Sequence, residues 1–195
     1  MRRAVFLDRD GVINELVLHG STSEYEPPHY PYELKILPHA IESLIAIQDL
    51  GYVLFLISNQ PDYAKGKTSM QNLLDVQREL ENILEKNKIG FKEFFYCYHH
   101  PNGVIDEYSY ACNCRKPHTY FIEHAAQKYD IDLVNSWIIG DRDSDILCGK
   151  NAGLKTISVN YFHSSNYRGD VRPDFEVDSI LDSIEILALG KFRGF

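Results

Sequence analysis

Two short apolar runs, far apart in the chain, end in the same way. A-V-F-L at 4–7 runs into Asp8-Arg9-Asp10-Gly11, and W-I-I-G at 137–140 runs into Asp141-Arg142-Asp143-Ser144-Asp145. Apolar runs this short, bounded by turn residues, read as buried strands. Ligands of open parallel sheets bind outside the carboxyl ends of the strands, so the pattern predicts two acid clusters meeting at one edge of one sheet.

The rest of the chain supplies the sheet. Strands are expected at residues 3–7, 52–57, 94–98, 136–139 and 155–159. Between the first two, Ile41, Leu44, Ile45 and 47–50 recur at helical spacing after Pro38, and Gly51 stands where a helix ends. Further helices are expected over 69–88, 118–129 and 145–152, with Pro117 as first residue of the second of these. Strands alternating with helices predict an α/β fold: a doubly wound, Rossmann-like parallel sheet with helices on both faces. Two segments break the rhythm. Residues 16–36, with Pro27, Pro28 and Pro31, predict an ordered loop or flap, and 99–115 an irregular insertion. No repeat, linker or large cap is visible, so 1–195 is expected to be a single domain.

Composition narrows the function. With 28 acidic and 20 basic residues the net charge is −8, which argues against binding to a nucleic-acid backbone or an anionic membrane, though not against a local basic pocket. The start is too short in apolar residues for a signal peptide, and no segment is long enough to span a bilayer, so a cytoplasmic protein is expected. A chain of 195 residues needs no disulfide staples. Its four cysteines are Cys97, Cys112 and Cys114, close together, and Cys148, which reads as a core-facing helix residue.

Asp8 and Asp10, two apart on an extended segment, would share a face and repel unless a cation or proton lies between them; Mg²⁺ would relieve this, a polar turn being the alternative. Asp141 would arrive at the same edge and complete a site of Asp8, Asp10 and Asp141, with Asp145 supporting it. Helix capping explains Asp143 and is the alternative for Asp145. Ser58 and the amides after it emerge from the second strand, and Lys116 and Arg115 from a helix mouth, where anions bind. Three thiolates, Cys97, Cys112 and Cys114, and one imidazole from the His99-His100 pair would form a closed zinc shell and hence a structural site. A Cys112–Cys114 disulfide, the rival, would close a small strained ring.

D-R-D-G-V-I-N, the N-Q after the second strand, C-x-C-R-K-P and G-D-x-x-x-D, in this order, resemble the haloacid dehalogenase-like phosphatases. Within that family the nearest similarity is to the subgroup of D-glycero-D-manno-heptose bisphosphate and histidinol-phosphate phosphatases. The resemblance implies Asp8 as nucleophile, Asp10 as general acid and base, and Ser58 and Lys116 stabilising the transferring group. It implies Mg²⁺ at Asp8, Asp10 and Asp141, Zn²⁺ on the C-x-H and C-x-C pair of the loop at about 97–114, that is Cys97, His99, Cys112 and Cys114 with His100 as spare, and substrate contacts from Arg9, Asn59, Gln60, Arg115 and Arg142. The expected reaction is hydrolysis of a phosphorylated sugar, foremost a heptose bisphosphate, by a monomer; histidinol phosphate or another small phosphomonoester is the alternative. A zinc-ribbon nucleic-acid module is disfavoured by the acidic balance.

The chain also departs from the family. Where members carry a serine and glycine after N-Q and then an arginine before glycine, this sequence has Pro61-Asp62-Tyr63-Ala64-Lys65-Gly66, and the loop after Asn14 is longer. Asp62 is unfavourable beside a second phosphate; Lys65, Arg142 and His19 are the candidates to compensate it.

Overall fold

The computed structural model describes residues 1–20 and 22–192. In chain order the strands are β1 Ala4–Leu7, β2 Val17–His19, β3 Glu24–Glu26, β4 Val53–Asn59, β5 Phe91–Cys97, β6 Trp137–Gly140, β7 Lys155–Val159 and β8 Phe175–Val177. The helices are α1 Ala40–Asp49, α2 Met70–Lys86, α3 Tyr120–Tyr129, α4 Asp143–Asn151 and α5 Ser183–Phe192. Six strands form one parallel sheet in the order β5-β4-β1-β6-β7-β8, and β2 and β3 pair as an antiparallel hairpin.

Alternation along β1 explains the layers, because successive strand side chains face opposite ways. Val5 and Leu7 join Leu44 and Ile47 of α1, Leu80 and Leu84 of α2 and Leu187 of α5. Ala4 and Phe6 join Phe55, Ile122 and Ala125 of α3 and Cys148 of α4. The sheet is therefore covered on both faces, as expected. Phe6 and Phe55 stack at 5.0 Å across β1 and β4, so the second core is built around an aromatic pair. No described helix is long and apolar enough to cross a membrane.

Local chemistry sets the helix ends. The Ser69 hydroxyl accepts from the Asn72 amide at 3.1 Å and starts α2, while Gly51, at φ +84°, turns the chain after α1. The structure also corrects the sequence reading. Pro117 is not the first residue of α3: the chain turns at 115–118, where His118 N donates to Arg115 O, and α3 begins at Tyr120. Arg115 and Lys116 thus project from a turn, not a helix mouth. Strand β5 begins at Phe91, its pattern blurred by Lys92 and Glu93 because it is an edge strand. Residues 16–36 contain the β2–β3 hairpin, and β8 and α5 extend the fold beyond the expected elements.

Candidate active site

β1 lies between β4 and β6, where the strand order reverses, and the crevice outside such a switch point is the usual ligand site. Asp8 follows β1, Ser58 and Asn59 end β4 with Gln60 just beyond, and Asp141 follows β6, so three adjacent strands deliver these residues to one edge. Gly11, at φ +83°, lets the chain after Asp10 pass against Asp141, whose carboxylate a Cβ at that position would strike. The edge opens into a cavity of ≈ 330 Å³ lined in part by Asp8, Asp10, Lys65, Arg115, Lys116 and Arg142.

Lys116 is the electrostatic centre. Its Nζ lies 2.8 Å from Asp8 Oδ1 and 2.6 Å from Asp145 Oδ1, and donates to Ile57 O at 2.8 Å. Burial opposes its charge, but Asp145 and Asp8 outweigh burial and raise its pKa, so it stays an ammonium. Asn59 holds Lys116 in place: its Oδ1 accepts from Lys116 N at 3.0 Å and its Nδ2 donates to Lys116 O at 3.2 Å.

Asp10 belongs to a separate network. Its Oδ1 accepts from Arg9 Nη2 at 2.9 Å and Asn14 Nδ2 at 2.9 Å, and its Oδ2 from Gln60 Nε2 at 2.5 Å. Gln60 Nε2 also donates to Ser58 Oγ at 2.9 Å. Arg9 is 1% exposed and Gln60 1% exposed, which corrects the expectation that they touch substrate. Both hold Asp10, and Gln60 also holds Ser58. The Asn59 side-chain amide is likewise engaged with Lys116, so of the five expected substrate contacts Asn59, Arg115 and Arg142 line the cavity, the latter two with their guanidinium groups not spent on one of the catalytic residues.

The acids that meet are Asp8, Asp141 and Asp145, each able to place an oxygen within 4.8 Å of the others. The Asp10 side chain is not among them, contrary to the expected Asp8–Asp10 pair, because Arg9, Asn14 and Gln60 draw it away. Asp145 is also spent: Oδ1 faces Lys116 and Oδ2 accepts from Arg142 N at 3.0 Å, a capping contact at the start of α4. Asp141 is the opposite case. It is fully buried, neither carboxylate oxygen has a hydrogen-bond partner, and burial followed by the charge of Asp8 pushes its carboxyl well above the usual range. Such a group suits a bound cation, and a hard divalent ion fits the spare oxygens of Asp8 and Asp141. Arg142 lies near, its Nε 3.9 Å from Asp141 Oδ2 and its guanidinium 4.2 Å above the Tyr167 ring. Asp143 accepts from Gly169 N at 2.8 Å and stands apart from the acid cluster.

A second donor set lies on the loop leading to Lys116. Sulfur separations are 3.5 Å for Cys97–Cys112, 3.3 Å for Cys97–Cys114 and 3.3 Å for Cys112–Cys114, and His99 Nδ1 is 3.4 Å from Cys114 Sγ. The thiols are unbonded. Tyr110 hydrogen-bonds His99 Nε2 at 2.7 Å, leaving Nδ1 to face the sulfurs, the arrangement in which an imidazole ligates metal. Three soft sulfurs and one imidazole fit zinc. His100 instead lines the active-site cavity.

Residues 113–184 match the family model described as "HAD-hyrolase-like". A D-glycero-alpha-D-manno-heptose-1,7-bisphosphate 7-phosphatase of Photorhabdus laumondii is 36% identical over 152 residues, covering 78% of this chain and 79% of the relative. The chain belongs to the haloacid dehalogenase-like phosphatases. It is a phosphoric monoester hydrolase. A D-glycero-beta-D-manno-heptose-1,7-bisphosphate 7-phosphatase of Vibrio cholerae is 33% identical over 92% of both chains. The solved D,D-heptose 1.7-bisphosphate phosphatase of B. bronchiseptica, complexed with magnesium and phosphate, shares the fold. Its TM-score is 0.78 at 21% identity, over 96% of this chain and 98% of that one.

Against this family pattern, Asp62 acquires a role the sequence could not assign. Its carboxylate pairs with His29 Nε2 at 3.1 Å, and His19 stacks on His29 at 3.9 Å. His19 is not among the residues that line the cavity, and Asp62 is compensated by His29 first and then by Lys67 and, as expected, Lys65. Asn14 was part of the motif, but its contact with Asp10 had no signal beyond its presence there.

Proposed function

We propose that the protein removes the 7-phosphate of D-glycero-D-manno-heptose 1,7-bisphosphate through an aspartyl-phosphate on Asp8. The observation that carries the bisphosphate reading is a pair of cations in the cavity wall that have no ion-pair partner among the described residues, although acids line the cavity as well. Lys65 and Arg115 line it without an ion-pair partner among the described residues, while Lys116 is fully committed to Asp8 and Asp145. Burial lowers the pKa of both; on Lys65 the charge of Asp62 opposes this while repulsion from Lys67 and Arg115 adds to it, and on Arg115 Cys97 and Cys112 oppose it while repulsion from Arg142 adds to it. A second phosphate would relieve that repulsion. The named activity of the relatives supports the same substrate.

In this reading Asp8 attacks phosphorus and the phosphorus–oxygen bond to the sugar breaks. Asp10, anchored through Oδ1 by Arg9 and Asn14, would exchange the Gln60 contact of Oδ2 for the substrate and there give a proton to the departing oxygen. It then takes a proton from the water that attacks the aspartyl-phosphate, so the acid of the first step is the base of the second. Lys116 and the Ser58 hydroxyl face the oxygens on which charge gathers. Mg²⁺ would be held by Asp8, Asp141 and, since both carboxylate oxygens of Asp10 are spent, the Asp10 main-chain oxygen; bound there it offsets phosphoryl charge. Cys97, His99, Cys112 and Cys114 would hold Zn²⁺ and stiffen the turn carrying Arg115 and Lys116. Unbonded thiols accord with a cytoplasmic location.

The test is a phosphate-release panel of both heptose bisphosphate anomers, histidinol phosphate and common sugar phosphates, ranked by kcat/KM. The heptose bisphosphates are expected to lead by at least tenfold. Asp8→Asn, which removes charge with little change in volume, is expected to abolish turnover and leave the fold intact. Turnover persisting in that variant would refute the mechanism, and histidinol phosphate leading the panel would refute the substrate.

A further inference from the structure

The β2–β3 hairpin contributes Glu24, Tyr25 and Glu26 to the cavity wall and is fastened to the body on two sides. On one side His29, just beyond β3, pairs with Asp62, and Glu26 pairs with Lys67, both partners lying in the segment that follows β4. Glu26, His29 and Asp62 are 5%, 6% and 3% exposed, so these contacts are largely shielded from water and salt. His19 of β2 stacks on His29 at 3.9 Å, joining the second strand of the hairpin to the same contact. On the other side Tyr25 stacks on His163 at 3.6 Å, and Leu16 N donates to Tyr161 Oη at 3.2 Å, both partners lying beyond β7. The hairpin thus spans the cavity between segments that follow β4 and β7.

Buried polar and ionic contacts add little stability over well-packed apolar groups, but breaking one from a single side leaves the partner unsatisfied and is costly, so their effect is to hold one geometry. Here the geometry held is that of a cavity wall. We propose that His29 and Asp62, with Glu26 and Lys67, are positioning residues that latch the hairpin against the cavity and thereby set its fit to a polyhydroxylated, phosphorylated leaving group. The inference rests on the phosphatase reading. It explains why an acid is tolerated at position 62: although Asp62 lines the cavity, its carboxylate is engaged by His29 of the hairpin segment. A leaving group that reaches only Asp8 and Lys116 does not depend on the hairpin, whereas a sugar phosphate lying along the wall does. A displacement of the wall by about 1 Å is enough to cost up to about 100-fold in rate.

The experiment compares wild type, His29→Gln and His29→Leu with D-glycero-D-manno-heptose 1,7-bisphosphate and with p-nitrophenyl phosphate. Hydrogen exchange of the β2 and β3 amides is followed in parallel. His29→Leu is expected to lower kcat/KM for the bisphosphate at least tenfold through KM, to leave the aryl phosphate within twofold, and to speed exchange in β2 and β3. His29→Gln, which keeps a donor toward Asp62, is expected to fall between. Equal losses on both substrates with faster exchange throughout the sheet would overturn the proposal, as would unchanged exchange in the hairpin. Should His29→Leu fail to fold, Lys67→Met at the more exposed pair is read by hairpin exchange alone, faster exchange supporting the latch and unchanged exchange overturning it. If wild type hydrolyses neither ester, the phosphatase reading fails, and the selectivity role fails with it even where exchange shows the latch.

Discussion

Replacing Lys116 with methionine keeps the approximate volume of the side chain and removes its charge. The ammonium lies 2.8 Å from Asp8 and 2.6 Å from Asp145, with all three residues buried. At an effective dielectric of about 20, each contact is worth a gross attraction of about 6 kcal/mol. Burying the ions takes back much of that, and removing one side of a buried pair costs about 3–5 kcal/mol because the partner is left uncompensated. Two carboxylates are orphaned here, so the upper part of that range is expected, a fall in Tm of roughly 10 °C or more for a chain of this size. Because the folded state raises the pKa of Lys116, its contribution is fully present below the ordinary lysine range and is lost only as pH rises through the raised value. Wild type therefore keeps this contribution unchanged from pH 5 to 8. Urea melts followed by circular dichroism at several pH values measure it, and phosphate release is expected to fall at least about 100-fold. A variant within about 1 kcal/mol of wild type at pH 8 would refute the electrostatic account.

Asp141→Asn reverses the sign. Since the Asp141 pKa is raised in the fold, its ionisation penalises metal-free wild type increasingly as pH rises from the ordinary carboxyl range through the raised value. The asparagine variant is expected to be more stable than wild type at pH 8 without magnesium, by about 0.5–2 kcal/mol, and to lose activity; no gain in a thermal melt would count against the repulsion argued here. Cys112→Ser is expected to lose zinc by elemental analysis, melt earlier and turn over more slowly, because the ligand loop runs directly into Arg115 and Lys116. Wild type containing no zinc, with four titratable thiols, would remove that site.

How much of this is legible in the chain depends on the range of the interaction. Val5, Leu7, Ile138 and Ile139 announce buried strands because burial on both faces leaves an unbroken apolar run, and Asp8 and Asp141 announce a site because carboxylates end those runs. The Cys97/His99/Cys112/Cys114 set is readable since thiols and an imidazole crowd a short stretch. By contrast β8 and α5 carry weak signals, the first being only three residues long. Arg9, Asn59 and Gln60 were expected to face substrate, and nothing in their types distinguishes an arginine or amide turned toward a ligand from one turned toward Asp10 or Lys116.

The sequence by itself determined the alternation of strand and helix, the edge at which the acids gather and the chemistry of the two donor sets, because these follow from periodicity and from side-chain type. Only the tertiary structure decided which acids have oxygens to spare. Asp10 and Asp145 are satisfied by partners, the latter through Lys116, which lies 29 positions before it in the chain, while Asp141 is satisfied by none. It also decided that Asp62 answers His29 from the far side of α1. Electrostatics depends on distance in space, and the fold alone sets those distances.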